Sequence, residues 1–122
     1  MPERNILLYL EDIEDSGRAI SGYIQGMSFE NFCQDRKTFS AVIREFEIIG
    51  EAVAKLPAGF RQYYPEVRWQ DIKDFRNILI HEYFGVDLEI VWNVIQEELP
   101  ILLHAVNRGI LTEMGHADNK IG

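Results

Sequence analysis

One cysteine, Cys33, stands among the 122 residues, and a lone thiol can neither close an internal disulfide nor build a Cys-rich zinc site. That usage fits a reducing cytoplasm, and Cys33 reads as a small buried or half-buried apolar residue. Histidine is almost as scarce. His81, His104 and His116 lack ligand spacing to one another, so a metal site is disfavoured. The chain has no glycine-rich phosphate loop, no G-x-S-x-G and no histidine pair flanking a glutamate on one helix face, and no cofactor is expected. It also lacks the run of about 20 apolar residues that spans a bilayer. The opening MPERNILLYLEDIED carries charges inside its apolar pattern, unlike a signal peptide, so the protein reads as soluble and cytoplasmic.

Positive charge is short as well. The net charge of −8 argues against non-specific adhesion to nucleic acid, because most of the surface would repel phosphates. The deficit is uneven. Between Lys55 and His81 the bases Lys55, Arg61, Arg68, Lys73 and Arg76 outnumber the acids Glu66, Asp71 and Asp74. If any region meets an anion, it is this one.

What is present is helical periodicity, in four segments, with no convincing period of two. Ile6, Leu10, Ile13, Gly17, Ile20 and Ile24 recur at steps of four and three in an amphipathic helix ending near Gly26; its acids Glu11, Asp12, Glu14 and Asp15 read as a solvated face. Ser28 can cap a short turn through Phe29 and Phe32, and Asp35 the next helix, which carries Phe39, Val42, Ile43, Phe46, Ile49, Val53 and Leu56 up to Pro57-Ala58-Gly59. Within 48-IIGEA-52, Gly50 and Ala52 would let another helix approach closely. The stretch from Pro57 to Trp69 reads as a long loop whose Phe60, Tyr63 and Tyr64 cover the end of the core or, alternatively, meet a partner or substrate. A third helix starts near Trp69 and is expected to end at Gly85; Asp87 caps a fourth through Val106, with Pro100 inside it as an expected kink. The expectation is an all-α antiparallel bundle of four main helices plus a short extra helix, one domain over 1–108, with 109–122 a poorly ordered tail.

The octet 76-RNILIHEY-83 sets the functional question. At about 100° per residue, Arg76 and Tyr83 fall on the stripe that Trp69, Ile72 and Leu79 mark as buried, whereas Asn77 and His81 lie about 100° and 140° away. An unpaired guanidinium carried inward is too costly, so Arg76 must meet an acid, a ligand or water in a cleft. Glu47 and Glu51, four apart on the second helix, are the acidic candidates. One reading is therefore an internal ion pair with His81 and Tyr83 as ordinary amphipathic residues. The other is a site: a fixed cation, an amide, an imidazole and a phenol within two helical turns can bind and act on a phosphodiester. Arg76 and His81 cannot converge on one atom of a regular helix. Either the helix loosens before Gly85, or a second copy of the chain completes the site across a two-fold axis, the option favoured here.

These residues also resemble a known family. The octet matches the R-x-x-x-x-H-x-Y pattern, with asparagine after the arginine, of HepT toxins in the HEPN superfamily, and 45-EFEIIGEAVAKLP-57, 69-WQDIKDFRN-77, 84-FGVDLEIVW-92 and 99-LP-100 are similar to its flanking motifs. The resemblance implies an all-α, homodimeric, metal-independent endoribonuclease acting on RNA as a toxin, paired with an MntA-type nucleotidyltransferase antitoxin. By the same resemblance Arg76 and His81 are the catalytic pair, Asn77 an auxiliary substrate contact, and Tyr83 the phenol that the antitoxin modifies with AMP. Related proteins are also described only as substrate-binding partners of nucleotidyltransferases, and a non-catalytic substrate-binding or regulatory partner of such an enzyme is the alternative function.

Overall fold

A computed structural model describes residues 5–82 and 85–121, with the backbone alone for 116–121. The described residues form α1 (Ile6–Tyr23), α2 (Phe29–Gln34), α3 (Arg36–Lys55), α4 (Ala58–Tyr63), α5 (Trp69–His81), α6 (Leu88–Asn93), a π-helical turn (Val94–Glu98) and α7 (Leu99–Ile121). Among them there is no strand, as the absence of a two-residue period requires.

The starts of the helices follow the capping chemistry written in the sequence. The Ser28 hydroxyl accepts from the Asn31 N–H at 3.1 Å while the Asn31 side chain accepts from the Ser28 N–H at 3.4 Å, a reciprocal capping box. Asp35 accepts the Thr38 N–H at 3.0 Å and Asp87 the Glu89 N–H at 2.9 Å. Just beyond α1, Gly26 turns the chain at φ +77°, a conformation that only glycine enters without steric cost. The core then closes between three long helices: α1 packs on α3 and α7, and α3 packs on α5. Leu10, Ile13 and Ile20 meet Val42, Phe46, Ile49 and Val53, with Leu79, Leu102 and Val106 completing the interior. Cys33 is half-buried, as expected.

Three boundaries differ from the sequence reading. The expected loop after Pro57 contains α4, for which the proline serves as N-cap; a proline there sets φ for the helix that follows instead of only ending the one before. Its aromatic residues divide. Tyr64 is buried and accepts the Trp69 indole N–H through its carbonyl oxygen at 3.0 Å, whereas Tyr63 is 74% exposed. Secondly, α5 is capped at Glu82, whose N–H reaches the Ile78 carbonyl, so it stops short of Gly85. Thirdly, the expected fourth helix is α6, the π turn and α7 in succession, and it runs on to Ile121, past the Arg108-Gly109 point where the chain was expected to fray. Pro100 lacks the N–H that an α-helix would use, and the ladder absorbs this one turn earlier, where the Leu99 N–H reaches back to the Val94 carbonyl.

The feature that positions the site is the α3–α5 contact. A methyl group built on Gly50 would lie 2.7 Å from Cγ and 2.9 Å from Cδ of Arg76, so the glycine leaves room for the arginine's aliphatic stem to lie directly on the α3 backbone. The small residue anticipated in 48-IIGEA-52 thus receives one named side chain.

Two expectations follow from the fold. Gly50→Ala should lower the melting temperature, because overpacking of about 1–3 kcal/mol outweighs the helix propensity of about 1 kcal/mol that alanine gains; a rise in thermal denaturation would show that Arg76 yields freely. The Thr38 N–H holds the Asp35 carboxyl below its ordinary value, so the cap's contribution is full above the usual carboxylate range and disappears as pH falls through the lowered value. Asp35→Ala should therefore lower the melting temperature at neutral pH, with the gap to the parent closing along the acid limb of a pH series.

Candidate active site

Arg76 sits in the second half of α5 with its stem on Gly50 and its head at the protein's edge; its side chain is 24% exposed. Nη1 donates to Glu51 Oε2 at 2.6 Å and Nη2 donates to Asn77 Oδ1 at 3.2 Å. Nε is buried and has no hydrogen-bond partner among the described residues. Of the two carboxylates proposed from sequence, Glu51 takes the arginine and Glu47 instead faces Arg44 at 3.6 Å.

Burial decides what this pair is for. The Glu51 side chain is 57% exposed and also faces Lys55 Nζ at 3.7 Å. An ion pair this open to water contributes about 1 kcal/mol or less. The guanidinium is therefore not sealed in the core: its stem is fixed, one edge is held by a solvent-facing carboxylate, and it keeps N–H donors for an incoming anion.

His81 lies in the last turn of α5 and is exposed, as is Asn77. The helix remains regular through His81, so the wide angular separation from Arg76 persists within one chain. The structure brings Arg76 and Asn77 into contact and does not bring His81 to either. Tyr83 lies outside the described residues. Ile78 and Ile80 are 48% and 47% exposed, on different sides of the helix, with Ile80 turned toward α1 and α3. His104 is exposed on α7, and among the described residues no group of three or more His, Cys, Asp or Glu is placed to hold a metal ion. No described helix is long and apolar enough to cross a membrane.

Beside the arginine, α1 and α3 enclose a groove of about 350 Å³ that the sequence reading did not find. Tyr9 and Asp12 come from α1, Arg44, Glu47, Ile48, Glu51, Ala52 and Lys55 from α3, and Ile80 from α5. Asp12 had been assigned to a solvated face; it is half-buried here. Its position three residues after Tyr9 is the kind of signal that could have separated it from Glu11 and Asp15, since only one side of α1 faces α3.

The comparisons with known proteins agree with this architecture. The family model described as Ribonuclease HepT-like matches residues 10–108. A Methanocaldococcus jannaschii protein named as a candidate RNase is 36% identical over 121 residues, covering 99% of this chain and 100% of its own. A probable ribonuclease HepT from Thermococcus cleftensis is 43% identical over 94 residues, 77% of this chain and 86% of its own. A candidate RNase from Caldanaerobacter subterraneus is 44% identical over 94 residues, covering 77% and 84%. No solved structure matches. With the family model spanning most of the helical core and relatives aligned nearly end to end, the chain belongs to the HepT-like ribonuclease family.

Proposed function

We propose that the protein is a metal-independent endoribonuclease, the toxin of a toxin-antitoxin pair, working as a two-fold homodimer in the cytoplasm with Arg76 and His81 as its catalytic pair. The observation that carries this reading is one helix that bears an anchored but water-facing guanidinium, an exposed imidazole and the exposed Ile78. Because α5 stays regular through His81, loosening of the helix no longer offers a way to join the two groups. A second copy packed on Ile78 does, by setting the imidazole of one chain across from the guanidinium of the other.

The chemistry uses the RNA's own 2′-hydroxyl. His81 takes its proton, the 2′-oxygen forms a bond to phosphorus, and the bond from phosphorus to the 5′-oxygen breaks. Arg76, always protonated, offsets the charge on the pentacoordinate phosphorus while Asn77 steadies the guanidinium and contacts substrate. The leaving 5′-oxygen takes a proton from an imidazolium, and one product ends in a 2′,3′-cyclic phosphate. Transfer of AMP to Tyr83 by an MntA-type nucleotidyltransferase would inhibit by adding a phosphate and a nucleoside to the octet that carries the catalytic pair. The second reading, a non-catalytic partner of such a nucleotidyltransferase, is favoured by one observation: Glu51 already occupies Arg76.

His81→Ala and Arg76→Met should each reduce RNA cleavage by about 10²-fold or more, with helical circular dichroism unchanged and EDTA without effect on the parent. Arg76→Met should shift the melting temperature by only a few degrees, since so open a pair contributes about 1 kcal/mol or less. A cleavage rate that survives loss of His81, or a protein that binds a nucleotidyltransferase and never cuts RNA, would favour the second reading. In light scattering Ile78→Glu should convert the dimer to monomer and abolish cleavage; an active monomer would refute the shared site.

A further inference from the structure

The groove between α1 and α3 is left unused by the proposed chemistry, yet it adjoins that chemistry through one residue: Glu51 both lines the groove and hydrogen-bonds Arg76. Its floor is apolar, made by Ile48, Ala52 and Ile80, and its α1 wall carries the Tyr9 ring. Lys55 Nζ stands 6.0 Å from the centre of that ring, on a side chain 53% exposed. An apolar floor, an aromatic wall and a half-exposed cation at the rim are what a nucleotide meets: a face to stack on and a charge for its phosphate. The volume of about 350 Å³ suits one nucleotide and lies at the small end of ligand pockets.

We propose that this groove is a base-recognition subsite for the RNA nucleotide next to the scissile phosphate, and that Glu47 makes it select guanine. The inference rests on the ribonuclease reading above only for its place in the substrate. Of the two α3 carboxylates in the groove, Glu47 has acceptor capacity to spare. Glu51 is committed to Arg76, whereas Glu47 meets Arg44 at 3.6 Å, beyond hydrogen-bond length, and its side chain is 23% exposed. An ionised carboxylate only accepts. Guanine alone offers two adjacent donors, N1–H and N2–H, that match its two oxygens. Adenine and cytosine set one amino group beside a ring nitrogen lone pair, and uracil flanks its single N3–H with two carbonyl oxygens, so each turns at least one repulsive atom toward Glu47. With the base held there, Lys55 turns to its phosphate and the next phosphodiester reaches Arg76 in place of Glu51.

The test combines nucleotide binding with cleavage mapping on the full chain. By NMR titration, 5′-GMP should bind about tenfold or more tightly than 5′-UMP, the discrimination a bidentate base contact supplies, with shifts at Tyr9 and Ile80. Glu47→Gln, which keeps the side-chain volume, should remove that preference while leaving the melting temperature unchanged, and Tyr9→Leu should weaken all four mononucleotides together. On RNA of random sequence the parent should cut beside guanine at one fixed side of the bond, and Glu47→Gln should cut without that bias. Equal affinity for the four mononucleotides, or a guanine bias that survives Glu47→Gln, overturns the assignment. Cleavage with no base bias sinks the subsite and leaves the ribonuclease reading intact; guanine binding that depends on Glu47 in a chain that never cuts RNA upholds the subsite and sinks the ribonuclease reading.

Discussion

The stem of Arg76 lying on the bare backbone of Gly50 is the contact on which the candidate site depends. A guanidinium on a flexible arm at a surface would spend most of its time in water, and ordering it on substrate would cost much of the side-chain entropy that a long arm carries. Here the methylenes are immobilised by helix packing before any ligand arrives, so only the head remains to be satisfied. Glu51 and Asn77 take two of its nitrogens and leave it partly open to water. Holding the arm by van der Waals contact and the head by exchangeable polar contacts separates fixing a charge from neutralising it.

Much of this was legible in the sequence because helical spacing and capping residues are local signals. Ser28, Asp35 and Asp87 cap as expected, the apolar stripes on α1 and α3 are buried, and the angular position of Arg76 on α5 placed it toward α3. What was missed depends on contacts far apart in sequence. Nothing near Glu47 or Glu51 says which of them meets Arg76, since that choice is made by the register of α3 against α5. The groove is likewise a product of two helices, and its Tyr9 and Asp12 are unremarkable on α1 alone. Pro57 was read as a stop when it also starts α4, because proline ends one helix and opens another by the same fixed φ.

The acidic balance of the chain bears on how a polyanion could be handled at all. Over distances beyond about 10 Å salt screens the repulsion between surface carboxylates and phosphates, so the contest is local. Near Arg76 the local inventory mixes Lys55 and Arg44 with Glu47, Glu51 and Asp12. Such a surface would hold duplex or bulk RNA poorly through its backbone and favour ligands that satisfy individual carboxylates with donors. Selectivity gained in this way comes with modest affinity, a useful combination where indiscriminate binding would be a liability.

The π turn at Val94–Glu98 has a mechanical meaning for the far side of the bundle. Widening one turn sets back the angular phase of everything that follows, so Leu99, Leu102 and Val106 come around to the face already occupied by Val91 and Ile95. The exposed Pro100 lies in the first turn of α7 itself, just past the wide turn, so the break in the hydrogen-bond ladder coincides with the start of the helix that packs on α1.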